Sequence, residues 1–183
     1  FFEDYVLSDI NSSDDLHAAL KALFESHENL MAGFWKEVKL SIKNNKFVHV
    51  PAALFLEEAA AEFLSFNAVV DSTRETARVC RNRLTDAVTV YAIHNDLQSF
   101  LQKTYAHTNV HTFHQSTALI EGVMTHAMER TDEPLYVYVD RFKLHILLVR
   151  RGKLVYYNQF LIKQFTDYAK SIMLVMNALG LNQ

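Results

Sequence analysis

Residues 135–160 decide the fold, and they read LYVYVDRFKLHILLVRRGKLVYYNQF. Three apolar runs follow one another here, interrupted only at Asp140-Arg141 and at Arg151-Gly152-Lys153. Breaks this short predict tight turns, and tight turns join antiparallel strands. The stretch therefore predicts a three-stranded antiparallel meander.

The flanking sequence predicts alternating strands and helices. A strand at Ala87–Ile93 precedes a helix from Asn95 to Tyr105, and a strand at Asn109–His114 precedes a helix from Ser116 to Ala127. After the meander, Thr166 begins a last helix with apolar residues at helical spacing. This order favours a layered α/β architecture.

The amino-terminal half is less regular. Phe1–Leu7 has strand character, and the polar residues 12–14 predict the start of a helix. Val38–Ile42 and Phe47–Val50 flank the turn residues Asn44-Asn45 and predict a hairpin. Residues 52–64 are rich in Ala, Leu and Glu and predict a helix. The sequence of residues 65–86 fits either a strand followed by a helix or an irregular connection.

Composition excludes several functions. The chain has 183 residues, half of them apolar, which is enough for a core in one domain or in two small lobes. Its 18 basic and 21 acidic residues give a net charge of −3, which offers no electrostatic basis for binding nucleic acid. No apolar run is long enough to cross a bilayer, and no signal peptide is visible. We therefore expect a cytoplasmic protein.

A short similarity within the chain suggests two related lobes. FFEDY at the start and YYNQF at 156–160 each lead within a few residues to a capped helix. If both are third strands of a lobe, the first lobe lacks its amino-terminal strands and the second is truncated at its carboxyl end. The polar segment 129–134 then separates a first lobe, 1–130, from the start of a second, 131–183.

Three segments carry a family resemblance: FVHVPAALF at 47–55, AVTVYAIHNDLQSFL at 87–101, and the meander. Together they resemble a family of uncharacterised bacterial proteins with an actin-like ATPase fold, of the duplicated ribonuclease-H-like type. The actin-like proteins of pilus assembly are more distantly similar. The resemblance implies mixed sheets flanked by helices, and it implies no established activity.

The resemblance also bears on nucleotide binding. Actin-like ATPases end their first strand in Asp-x-Gly, where the glycine lets backbone amides approach the phosphates. The matching residues here are Asp140, Arg141 and Phe142, so the aspartate is present and the glycine is absent. A degenerate phosphate loop argues against an enzyme. If a nucleotide does bind, Asp140 and Lys143 are the residues expected to contact ATP and its Mg²⁺.

Other candidate sites are weaker. His107, His111 and His114 lie close in sequence, but no carboxylate near them in sequence completes a metal site. Cys80 is either a reactive thiol or a half-buried small residue, and if its segment is helical only Arg83 shares its face. The turn at 150–153 is basic and could receive an acidic partner.

Aromatic residues alternate along two strands of the meander. Tyr136 and Tyr138 share one face of the first strand, and Tyr156 and Phe160 share one face of the third. They either pack in the core or form an interaction patch on an uncovered sheet face.

The sequence thus favours a non-catalytic interaction or scaffold protein that uses an actin-like fold to bind another protein, without cofactor or metal. The first alternative is an ATP-binding protein or weak ATPase. A hydrolase of the ribonuclease H kind ranks last, because it needs several acidic residues at strand ends and only Asp140 qualifies.

Overall fold

A computed structural model describes residues 2–7 and 9–181. The chain divides into two compact units. The first comprises the residues up to Cys80 together with Val88–Gln115, and the second comprises Arg81–Ala87 together with the residues from Ser116 onward.

The first unit contains helices α1 to α4 and strands β1 to β5. Their bounds are α1 (Ser13–Glu25), α2 (Glu28–Met31), β1 (Glu37–Ile42), β2 (Phe47–Pro51), α3 (Ala60–Ser65), β3 (Glu75–Arg81), β4 (Ala87–His94), α4 (Asn95–Thr104) and β5 (Asn109–His114). The predicted cap of the first helix is confirmed, because the Ser12 hydroxyl accepts a hydrogen bond from the Asp15 amide while the Asp15 carboxylate accepts one from the Ser12 amide. This reciprocal pair is a capping box.

Two sheets form in the first unit, one of β1 and β5 and one in the order β2-β4-β3. The predicted hairpin of β1 with β2 is wrong, because β1 pairs in parallel with β5, with Leu40 opposite Thr112. Asn44 explains the change of partner. Its side chain accepts from the Lys46 amide and donates to the Ala92 carbonyl, which directs the chain from β1 onto β4.

Two further predictions for this unit need correction. Residues 2–7 form no strand, and Phe1 lies outside the described residues. The predicted helix at 52–64 consists of two short 3₁₀ turns, Ala52–Leu54 and Glu57–Ala59, followed by α3. Only α3 buries side chains, with Ala60 and Leu64 in a core that includes β2 and β4. The six central residues of β4 are buried, as expected for a strand covered on both faces.

The second unit contains the predicted antiparallel meander between two helices. Its elements are α5 (Gln115–Met128), β6 (Leu135–Asp140), β7 (Lys143–Arg150), β8 (Lys153–Leu161) and α6 (Thr166–Ala178), and β7 is the central strand. At the β7–β8 turn, Arg151 and Gly152 both have positive φ, of 50° and 71°. Positive φ at both central residues is the geometry of the two-residue hairpin turn that follows the twist of the strands.

Each face of the meander packs against one helix. Ile120 and Met124 of α5 pack with Leu147 and Val149 of β7, whereas Val175 of α6 packs with residues on the other face. The aromatics follow the same division: Tyr136 belongs to the core under α5, and Tyr156 and Phe160 belong to the core under α6. These side chains therefore pack in the core.

The contact between α5 and β7 also bears on the unit boundary. The sequence predicts a boundary between the lobes near residue 130, whereas the two compact units divide between Gln115 and Ser116. Helix α5 groups with the meander because it buries Ile120 and Met124 against it. Among the described residues, no helix is both long and apolar enough to cross a membrane.

Candidate functional site

The β6–β7 turn brings the two predicted site residues together. Asp140 and Lys143 are directly opposite in the antiparallel register, at the ends of their strands, and both are half-buried. The site predicted from the sequence is thus one compact turn, in which an acidic and a basic side chain flank Arg141 and Phe142.

The backbone of this turn is tightly constrained. Arg141 has a φ of +52°, whereas Phe142 keeps a negative φ. The Tyr168 hydroxyl of α6 donates to the Arg141 carbonyl at 2.6 Å, and the Ile162 amide donates to the Phe142 carbonyl at 2.7 Å. Contacts from two neighbouring segments therefore fix both central peptides.

This geometry differs from that of a phosphate cradle. A cradle needs a concave run of backbone amides that converge on one anion, and a two-residue turn has only two central amides to offer. The Phe142 side chain is 70% exposed, so the ring projects from the turn into solvent. Phe142 therefore stands where the Asp-x-Gly pattern has glycine, and its side chain takes up space that glycine would leave open.

The three neighbouring histidines have different surroundings. His111 is exposed, and its Nε2 lies 3.4 Å from the Glu37 carboxylate. His114 is fully buried, with its ring stacked on Phe47 at 4.2 Å, and His107 is exposed. No carboxylate lies near these histidines in sequence, but the parallel pairing of β1 with β5 brings Glu37 beside His111 in space.

Three other features of the chain bear on its chemistry. Within the described residues, no group of three or more His, Cys, Asp and Glu side chains is placed to hold a metal ion. Cys80 lies on strand β3 and not on a helix, so Arg78 shares its face. Sequence reasoning missed an ion pair in which the half-buried Lys46 ammonium lies 2.6 Å from the buried Glu75 carboxylate. Its members lie 29 positions apart, so no local pattern could have revealed the pair.

One exposed apolar surface of the second unit lies on β6. Val137, Tyr138 and Val139 are 43%, 41% and 53% exposed, and β6 is an edge strand of its sheet. A groove of about 300 Å³ runs between this strand and α5, with Gly122 and Ala118 on the helix side. We call this surface, Val137–Val139 with its groove, the β6 edge.

Comparisons with known proteins identify a family and a fold. A family model described as "Protein of unknown function (DUF3822)" matches residues 1–183, and no curated protein matches the chain. A crystal structure at 1.85 Å resolution from Bacteroides thetaiotaomicron VPI-5482 is described as a protein with actin-like ATPase fold and unknown function. It is 25% identical to this chain, with a TM-score of 0.86, and the match covers 100% of this chain and 68% of the other.

The actin-like ATPase fold implied by the sequence resemblance is therefore confirmed. The more distant similarity to pilus-assembly proteins stays a prediction.

Proposed function

We propose that this chain, which belongs to the DUF3822 family of unknown function, is a non-catalytic protein that binds another protein by means of its actin-like fold. The observation that carries the proposal is the β6–β7 turn, where both central carbonyls are engaged and Phe142 projects from the position of the glycine. The loss of this glycine removes the feature that actin-like ATPases use to approach a phosphate.

The β6 edge supplies a surface for the partner. Natural edge strands are protected from pairing by charged side chains, prolines or bulges. The central residues of β6 are Tyr136, Val137, Tyr138 and Val139, which include none of these. Apolar side chains on both faces are typical of a strand whose faces are covered, yet Val137, Tyr138 and Val139 remain 43%, 41% and 53% exposed. The chemistry of β6 therefore suits a partner that adds an extended apolar strand, which is a recurring mode of peptide recognition.

One observation favours the alternative of ATP binding or weak ATPase activity. Asp140 and Lys143 lie opposite each other, and a carboxylate beside an ammonium group could hold a hydrated Mg²⁺ and a phosphate. Isothermal titration calorimetry with Mg-ATP separates the two functions. We expect no saturable heat at millimolar nucleotide, whereas micromolar binding that Asp140→Ala weakens would overturn the proposal.

The partner surface is tested separately by photo-crosslinking in the native host. A photoreactive amino acid at Val139, which is 53% exposed, should give a discrete crosslinked species. The same amino acid at Val155 of β8, which is 49% exposed, is the matched control. We expect the Val139 product to disappear when Val137→Lys is introduced. Equal products from both positions would show that β6 has no special role.

Two finer inferences accompany this proposal. We place the protein in the cytoplasm of a bacterial cell, which fractionation of the native host would check. We also expect no nucleic-acid binding, given the net charge of −3. Retention on heparin at physiological salt would contradict that expectation.

A further inference from the structure

A small cavity in the first unit has the chemistry of an anion site. It measures about 210 Å³ and lies where β3, β4, α4 and β5 meet. Its polar lining comes from Arg78, Tyr91, Gln98, Gln102 and Thr112. All four elements belong to the first unit, so one folded body forms the whole cavity.

Arg78 gives the cavity its charge. Its Nε donates to the Gln98 side-chain oxygen at 3.1 Å, and the residue is half-buried. Among the residues that the structure describes, none of those lining the cavity is acidic, and Arg78 forms no ion pair within the described parts of the chain. A half-buried guanidinium without a carboxylate partner keeps donors available to an anion.

The neutral groups are arranged to donate hydrogen bonds. The Tyr91 hydroxyl donates to Thr112 Oγ1 at 3.0 Å, which leaves the Thr112 proton to point elsewhere. Burial raises the pKa of Tyr91 above its ordinary value, so the phenol stays a donor at neutral pH. Gln98 accepts from Arg78 with its oxygen, so its amide nitrogen remains a donor. Donors therefore surround the single positive charge.

We propose that this cavity binds the carboxylate of a small organic acid, with Arg78 as its charged anchor and Thr112, Gln98 and Gln102 as neutral donors. The planar fork of arginine matches a carboxylate with two parallel hydrogen bonds. A single cation balances a single negative charge, and the volume suits a molecule of few atoms. Val79, Leu101 and Val110 form an apolar wall for a short hydrocarbon part.

The test measures thermal stability and binding heat with sodium acetate, succinate and benzoate, each against sodium chloride at equal ionic strength. We expect at least one carboxylate to raise the melting temperature of the full chain in a saturable way, because a ligand that binds only the folded state stabilises it. Arg78→Gln should weaken that binding at least tenfold. Arg74→Gln is the matched control, because Arg74 pairs with Asp14 and does not line the cavity.

A second variant keeps the test decisive if Arg78→Gln fails to fold. Gln102→Leu removes an exposed amide and should also weaken binding, with the fold intact. The side-chain amide signals of Gln98 and Gln102 in nitrogen-15 spectra should shift on titration. Absence of saturable binding at tens of millimolar, equal stabilisation by sodium chloride, or undiminished binding by both variants would each overturn the proposal.

Discussion

Arg141 has a backbone conformation that suits glycine better than arginine. Its φ of +52° lies in the left-handed region, which costs an L-residue roughly 1–2 kcal/mol. Glycine adopts this region freely but loses more chain entropy on folding. We expect Arg141→Gly to raise the free energy of unfolding by about 0.5–1 kcal/mol, measured by urea denaturation.

Phe142→Gly in the same turn is the matched control. Phe142 has a negative φ and a 70% exposed side chain, so glycine there relieves no strain and removes little packing. It should lower the free energy of unfolding by about 0.5–1 kcal/mol. If both variants change stability in the same direction, positive φ at Arg141 is not a source of strain.

Tyr168 of α6 stabilises the β6–β7 turn through a hydrogen bond. Its hydroxyl donates to the Arg141 carbonyl at 2.6 Å, and its ring packs in the core under α6. Tyr168→Phe keeps the ring and removes only the hydrogen bond, so we expect a loss of about 0.5–1 kcal/mol in unfolding free energy. The Phe142 amide, which belongs to the same peptide unit as the Arg141 carbonyl, should also exchange faster with deuterium. Unchanged exchange would mean that the turn is held without this contact.

At the scale of elements, the sequence predicted what local patterns encode. Strands β6 to β8 were correct because each apolar run ends at a short polar turn. The pairing of β1 with β5 was missed because parallel partners lie far apart in sequence, and an Asn-Asn pair between two strands favours a hairpin. Residues 2–7 have strand composition but form no ladder, and strand preference without a partner does not make a strand.

The candidate site follows the same rule. Asp140 and Lys143 were predictable because one tight turn joins them. The Arg78 cavity was not, since its lining comes from four elements whose meeting depends on tertiary packing. The exposure of the β6 edge was not predictable either, because the sequence of an apolar strand does not show whether another element covers it.

The capping box of α1 is the element whose contribution is simplest to measure. Ser12→Ala removes the acceptor for the Asp15 amide, and we expect a loss of about 1 kcal/mol in unfolding free energy. The Ser12 side chain, with the Asn11 amide next, lowers the pKa of Asp15. That pKa should therefore rise in the variant, as observed by NMR titration.

Ser26→Ala at the opposite end of α1 is the control. Ser26 donates to the Leu23 carbonyl, and it does not cap the amino terminus of the helix. This variant should lose less stability and should leave the Asp15 titration unchanged. Equal losses from the two serines would indicate that the capping box contributes nothing special.

At the scale of the whole molecule, the fold does not determine the chemistry of the site. The chain keeps an actin-like ATPase fold, but its β6–β7 turn lacks the glycine that such proteins place beside phosphate. A fold can host many functions, so the site and not the architecture has to decide the activity. We therefore base the proposed function on this turn and on the exposed strand beside it, and not on the fold.

Stability of the whole chain should depend on pH through His49 in the first unit. Desolvation and then repulsion from His114 lower the pKa of His49 from 6.5 to about 4, while its Nδ1 lies 3.0 Å from the Thr89 hydroxyl. Below pH 6.5, His49 is protonated in the unfolded chain but stays neutral in the folded protein until the pH approaches 4. The contribution is therefore complete above pH 6.5 and is lost as the pH falls towards 4, by about 3 kcal/mol in total.

Urea denaturation between pH 7.5 and 4.5 measures this dependence. His49→Gln should flatten the slope of unfolding free energy against pH, even if the variant is less stable at pH 7.5. His107→Gln, at an exposed histidine, is the matched control and should retain the slope. If His49→Gln keeps the wild-type slope, acid destabilisation arises elsewhere. If the unfolding free energy of the wild type does not change with pH, folding does not lower the pKa of His49.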